Sequence, residues 1–175
     1  IAAEAGVDRV VANLHYRGQQ IVDHLAGRPD PVTFSWEREI ILETGGGLRQ
    51  AAPLLGGSPV LTLNTDAVWT GANPLTELMA AWDGERMDAL LLLLPAAKAT
   101  GHKGSGDFLR DREGRLTRAA GAPGEVYLGA QILRTEGLAD FPESAFSVNR
   151  LWDRLIAGGR LFGTLHAGGW CDVGA

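Results

Sequence analysis

A chain of 175 residues, 45% hydrophobic and 21% charged, is sized for one domain around one continuous core. Its formal net charge of -5 argues against the basic stripe of a nucleic-acid-binding surface, though not against a nucleotide ligand, because backbone amides and one metal ion can hold phosphates. The longest apolar run, Ala89 to Ala97, is too short to span a bilayer and contains Pro95, no signal-peptide pattern opens the chain, and the lone Cys171 excludes an intramolecular disulfide, which together predict a reducing cytoplasmic compartment without a membrane partner.

In chain order, Ile1 to Ala5 reads as the tail of a helix stopped by Gly6, and Val7 to Leu14 as a buried, β-branched strand. Tyr16 to Ala26 has helical spacing through Ile21, Val22 and Leu25 and is ended by Gly27 and Pro29. Val32 to Trp36 alternates as a short strand, a glycine cluster follows, and Leu48 to Leu55 reads as a helix interrupted late by Pro53. Val60 to Leu63 is a short buried strand. Pro74 to Trp82 is a helix with Asn73 as N-cap and proline at its first position. Met87 to Leu94 is a continuous apolar strand.

The rhythm then changes. Asp107 to Arg110 and Arg115 to Arg118 flank a turn ending in Gly114 and predict a hairpin. Val126 to Leu133 is a strand, and Ser147 to Ala157 a helix capped by Ser147 and closed by Gly158 and Gly159. Leu161 to His166 and Trp170 to Val173 are short strands, and Gly168 to Ala175 reads as a strand entering a turn. Alternating strands and helices in the first half predict an α/β fold with a mainly parallel sheet covered on both faces.

Four groups carry candidate chemistry. Glu43-Thr44-Gly45-Gly46-Gly47 stands between an apolar run and a helix. Glycines there admit close approach and the free amides of a helix start favour an anion or carbonyl acceptor, but a plain flexible turn fits equally. Asp66 follows the strand Val60 to Leu63, at the strand end where open α/β sheets place ligands. A carboxylate there suits a hard cation such as Mg²⁺, which takes only one or two protein carboxylates, or it caps a turn. Asp172 likewise follows a short strand and could complete a metal site with Asp66, or sit in a surface turn before Gly174. In Gly101 to Phe108, Asp107 could bond sugar hydroxyls and Lys103 a phosphate, whereas a solvated loop is the simpler reading for His102 and Lys103. His15, His24 and His166 lack zinc-site spacing, and no serine stands in a nucleophile-elbow pattern.

In order and spacing, several segments resemble the sugar-1-phosphate nucleotidyltransferase family. They are Val11-Ala12-Asn13-Leu14-His15-Tyr16, Leu42 to Gly47, Asn64-Thr65-Asp66, Gly106-Asp107-Phe108, Tyr127 to Leu133, Phe146 to Asn149 with Leu151-Trp152-Asp153, and Trp170 to Gly174. The chain is most similar to the N-acetylmuramate-1-phosphate uridylyltransferases of cell-wall recycling, with mannose-1-phosphate guanylyltransferases as near relatives. The resemblance implies a Rossmann-like, three-layer nucleotidyltransferase fold with a mainly parallel mixed sheet and a β-hairpin over the sugar site, as one catalytic domain over residues 1–175.

It implies, too, that Asp66 and Asp172 bind the catalytic Mg²⁺. Glu43, Thr44, Gly45, Gly46, Gly47 and Asn64 would meet the nucleotide, and Asp107, Gly129 and Asn149 the sugar. The implied substrates are a nucleoside triphosphate and a sugar-1-phosphate, UTP and N-acetylmuramate-1-phosphate foremost, acted on by a monomer or weak homo-oligomer. GTP with mannose-1-phosphate, or a non-catalytic relative that only binds a nucleotide sugar, are the alternatives. Two departures from the family pattern stand out: Thr65 occupies the middle of an Asn-Gly-Asp motif, and the family's N-terminal strand and glycine-rich loop, as well as its C-terminal end, are not among these residues.

Overall fold

The structure, a computed structural model, describes residues 1–174; Ala175, the last residue of the expected terminal turn, lies outside them. The chain divides into two compact units. A sheet unit takes Ile1, Leu61–Leu133 and the residues from Arg154 on, and a βαβ unit takes Ala2–Val60 and Arg134–Asp153.

The βαβ unit opens with β1 (Val10–Leu14), α1 (Gly18–Leu25) and β2 (Val32–Trp36), with β1 and β2 parallel and in register from Val10 opposite Val32 to Leu14 opposite Trp36. A parallel pair needs a crossover, and α1 supplies it. Helix α2 (Glu43–Leu55) packs on both strands. It begins five residues before the Leu48 start read from the sequence, so all three glycines lie inside its first turns. Helix propensity disfavours that start; tertiary contacts to the helix amides, described below, override it. A 3₁₀ segment (Glu136–Asp140) and the first turn of α4 (Asn149–Ala157) complete the unit, with Phe141 and Phe146 stacked at 4.6 Å.

The sheet unit is built on β5 (Ala89–Pro95) and β8 (Glu125–Leu133). Residues Ala89 to Leu94 are all buried, which is why this strand reads as an unbroken apolar run rather than an alternating one. Each enclosed leucine contributes about 1.5–3 kcal/mol relative to exposure. The strand order is β7-β6-β8-β5-β9, with β3 (Val60–Leu63) also on β8. Strand β9 (Leu161–Leu165) runs parallel to β5, while β8 and the hairpin β6 (Phe108–Arg110) and β7 (Leu116–Arg118) are antiparallel to their neighbours. The sheet is mixed, and its antiparallel share has a simple origin: between β5 and β8 stand a 3₁₀ turn and the hairpin, with no crossover helix.

Helix α3 (Pro74–Ala81) buries Pro74, Leu75 and Leu78 against β5 and β8, and the Asn73 side chain caps it by accepting from the amides of Leu75 and Thr76. A two-stranded ribbon pairs β4 (Ala67–Thr70) with β10 (Gly169–Asp172), antiparallel. Strand β4 has no sequence signature of its own, because its partner among the described residues comes from the far end of the chain. Among the described residues no helix is long and apolar enough to cross a membrane.

Candidate active site

In the sheet unit the site is organised by an irregularity in β8. Opposite β5, Gln131 pairs with Leu91 and Tyr127 with Leu93, so Leu128 to Ala130 face the single residue Leu92. Gly129 at the centre has φ +84°, a conformation that costs glycine little and other residues a great deal. The Leu128 carbonyl of this bulge accepts from Trp170 Nε1 at 3.0 Å, and the Gly129 carbonyl from the Asn64 amide at 2.7 Å. A Cβ on Gly129 would lie 2.7 Å from Asn64 Cβ, so glycine is what lets the Asn64 segment come this close. The bulge thus anchors both segments that bear the candidate aspartates, Asn64-Thr65-Asp66 directly and β10 through Trp170.

The structure brings Asp66 and Asp172 together. Asp172 pairs with Ala67 across the β4–β10 ribbon, and one rung further the Val173 amide donates to the Asp66 carbonyl at 2.9 Å. Gly174 stands against both acids. Its amide donates to Asp172 Oδ1 at 2.9 Å, and a Cβ there would lie 2.9 Å from Asp66 Oδ2. Asp66 is exposed and Asp172 half-buried. Among the described residues neither carboxylate has an ion-pair partner, and the Asp66 carboxylate accepts no hydrogen bond. Two converging, cation-free carboxylates form an oxygen donor set suited to a hard divalent ion that keeps several waters. No group of three or more His, Cys, Asp or Glu that could hold a metal occurs among the described residues.

The Gly101 to Phe108 loop flanks this pair. The Thr100 carbonyl accepts from the Asp172 amide at 2.9 Å, and Gly101, at φ +82°, passes so close that a Cβ would lie 2.7 Å from the Asp172 carbonyl oxygen. Asp107 is exposed, and its Oδ2 accepts from the Tyr127 amide at 2.9 Å, two residues before Gly129, while Oδ1 has no partner among the described residues. Burial pushes the Tyr127 hydroxyl well above its ordinary pKa, partly offset by its hydrogen bond with Thr62, so the phenol stays neutral. Asn64, Asp66, Asp107, Gly129 and Asp172 therefore share one rim of the sheet unit.

The remaining candidates lie in the βαβ unit. The carbonyl of Phe146 accepts from the amides of Gly45 and Gly46 at 2.8 and 3.1 Å, and Thr44 Oγ1 accepts from the Val148 amide at 2.9 Å. These bonds supply the tertiary cap of α2. A Cβ on Gly45 would lie 2.4 Å from the Phe146 ring, on Gly46 2.2 Å from the Ser144 carbonyl oxygen, and on Gly47 2.7 Å from Glu37 Oε1. The close approach expected of a ligand is thus made by the chain's own segments, and the Gly45 and Gly46 amides are not open donors. Exposed at this helix start are Glu43, in the left-handed region at φ +59°, and Thr44. Asn149 is exposed at the start of α4, its Nδ2 donating to Ser147 Oγ at 3.0 Å.

Sequence reasoning overlooked Glu37. It is 8% exposed, and its carboxylate accepts from Asn13 Nδ2 at 3.0 Å and from the Leu42 amide at 2.8 Å, tying β1 to the β2–α2 connection beside a cleft of about 500 Å³. An acid directly after a strand was its available signal, the same one that singled out Asp66.

The fold is that of the sugar-phosphate nucleotidyltransferases: the solved inositol-1-phosphate CTP transferase from T. maritima superposes with a TM-score of 0.74 over 98% of this chain and 72% of its own, at 12% identity. No protein-family model matches the chain. Characterised relatives do, two of them as follows. The N-acetylmuramate alpha-1-phosphate uridylyltransferase of Caulobacter vibrioides is 37% identical over 180 residues, covering 97% of this chain and 74% of that protein, and its namesake in Neisseria meningitidis serogroup B is 34% identical over 183 residues, covering 98% and 75%. This chain belongs to the N-acetylmuramate-1-phosphate uridylyltransferase family of sugar-1-phosphate nucleotidyltransferases.

Proposed function

We propose that the chain transfers a uridylyl group from UTP to N-acetylmuramate 1-phosphate, in the recycling of cell-wall sugars, with Asp66 and Asp172 holding one Mg²⁺. The observation that carries this reading is the convergence of the two carboxylates on Gly174. A phosphate oxygen of the sugar phosphate attacks the α-phosphorus of the nucleotide. The bond from that phosphorus to the β-phosphate bridging oxygen breaks, and pyrophosphate leaves with the bonding pair. Both reactants are anions, so repulsion and charge on the phosphoryl oxygens dominate the barrier; the bound cation supplies the neutralising charge. The protein's own part is alignment, since held reactants gain roughly 7–11 kcal/mol over free encounter.

Asp107 offers its Oδ1, which has no partner among the described residues, to sugar hydroxyls while Oδ2 stays on the Tyr127 amide, and the Gly129 bulge keeps the adjacent wall free of a side chain. Asn149 is assigned to the sugar. Asn64 and the segment Glu43 to Gly47 are assigned to the nucleotide. The three buried glycines seat that segment, and the exposed Glu43 and Thr44 are what it presents.

Incubating the encoded protein with Mg²⁺, each nucleoside triphosphate and a set of sugar 1-phosphates tests the reading. Pyrophosphate release fastest with UTP and N-acetylmuramate 1-phosphate is expected, and a preference for GTP with mannose 1-phosphate contradicts it. In the same assay, Asp107→Ala raises the Michaelis constant for the sugar phosphate about tenfold, the scale of one lost hydrogen bond to a charged group. A rise confined to the nucleotide's constant removes Asp107 from the sugar pocket.

A further inference from the structure

Helix α3 carries an acid in its first turn, Glu77, that reaches the turn following β9. Glu77 Oε1 accepts from the Ala167 amide at 2.9 Å, and Oε2 accepts from His166 Nδ1. The His166 side chain is wholly enclosed, with 0% exposure, and its second nitrogen, Nε2, has no partner among the described residues. Trp69 of β4 meets the ring edge-on, centroids 5.3 Å apart, and Gly168 lies against Nε2, where a Cβ would come within 2.7 Å. A carboxylate can only accept, so the contact with Glu77 fixes Nδ1 as the donor and sets the ring's orientation.

The position of this group gives it a task. The His166 amide closes the β5–β9 ladder on the Leu93 carbonyl at 2.9 Å, and β10 starts just beyond, at Gly169 opposite Thr70. At the other end of the same ribbon stand Asp172, opposite Ala67, and Asp66. A two-stranded ribbon of four rungs has little intrinsic stability, and a slip of one residue would send Asp172 to the opposite face. Its register must be fixed from outside. Glu77 holds the backbone at Ala167 on the β10 side, and His166, pinned by Glu77, buttresses Trp69 on the β4 side.

We propose that Glu77 and His166 are positioning residues for the Asp66–Asp172 pair, locking the register of the β4–β10 ribbon and with it the cation affinity of the two carboxylates. This rests on the reading of those aspartates as a cation site. The test uses Mn²⁺ alone as probe, followed by the electron paramagnetic resonance of the free ion, with Asp172→Asn as reference. Glu77→Ala is expected to weaken Mn²⁺ binding about tenfold, the scale of losing a group that orients a ligand, at temperatures where circular dichroism shows the variant fully folded. Glu77→Gln, which keeps an acceptor for the Ala167 amide, is expected to recover part of the loss.

If Glu77→Ala and Glu77→Gln, when folded, bind Mn²⁺ as the parent does while Asp172→Asn does not, the pair is merely structural and the proposal falls. Should Asp172→Asn itself leave Mn²⁺ binding unchanged, the cation reading falls first. A readout independent of folding of any variant is the ¹⁵N spectrum of His166 in the parent protein, where a proton on Nδ1, shared with Glu77, is expected. An unprotonated Nδ1 overturns the clamp.

Discussion

Replacing Asp66 or Asp172 by asparagine should lower the rate of pyrophosphate release at saturating substrates by at least about 100-fold, the scale of removing one electrostatic stabiliser from a phosphoryl-type transition state. Asparagine keeps size and shape, so the geometry around the site should survive. The Val173 amide bonds the Asp66 backbone carbonyl rather than its side chain, and an amide oxygen at position 172 can still accept from Gly174. What disappears is one negative charge at each position, and with it the attraction for a hard cation. Near-normal turnover in both variants would remove the pair from the chemistry.

A comparable loss, in stability rather than rate, is expected from Gly46→Ala. The added methyl would sit 2.2 Å from the Ser144 carbonyl oxygen and 3.2 Å from Leu42 Cβ. A backbone oxygen cannot rotate away as a side chain can, so α2 must shift and pull the Gly45 and Gly46 amides from the Phe146 carbonyl. Overpacking of this kind costs about 3 kcal/mol, which for a chain of this length lowers the melting temperature by roughly 6–12 °C. Gly57→Ala is the control, since nothing lies within 4 Å of a Cβ at that position. Equal melting temperatures for the two variants would show that the helix start is not seated as described.

Elements that bury a patterned face were legible in the sequence, down to the residue for β2 and β3 and for the Asn73 cap. The α/β class followed from the alternation of strands and helices, and the family from motifs in order. What escaped depends on partners remote in the chain. Strand β4 exists because β10 pairs with it, and α2 starts at Glu43 because the Phe146 carbonyl receives its amides. At the site, Asp66 and Asp172 could each be picked out as an acid beyond a strand end, but their meeting is a property of the ribbon. Glu37, Glu77 and His166 were invisible as partners because the contacts that define what they do join residues far apart in the chain.

The irregularity in β8 also constrains how this strand can change. Side chains alternate along a strand, and Leu128 to Ala130 stand where β5 offers one residue, an excess of two. Two is an even number, so Gln131 and Tyr127 keep the same inward–outward phase relative to β5 on either side of the kink. Removing a single residue there would rotate Tyr127 and Glu125 half a turn about the strand axis and carry away the amide that holds Asp107. Removing two would keep that phase but take away the carbonyls that receive Trp170 and Asn64. Only changes in steps of two keep Tyr127 facing Asp107, and a shortening by two gives up the anchor of both aspartate segments.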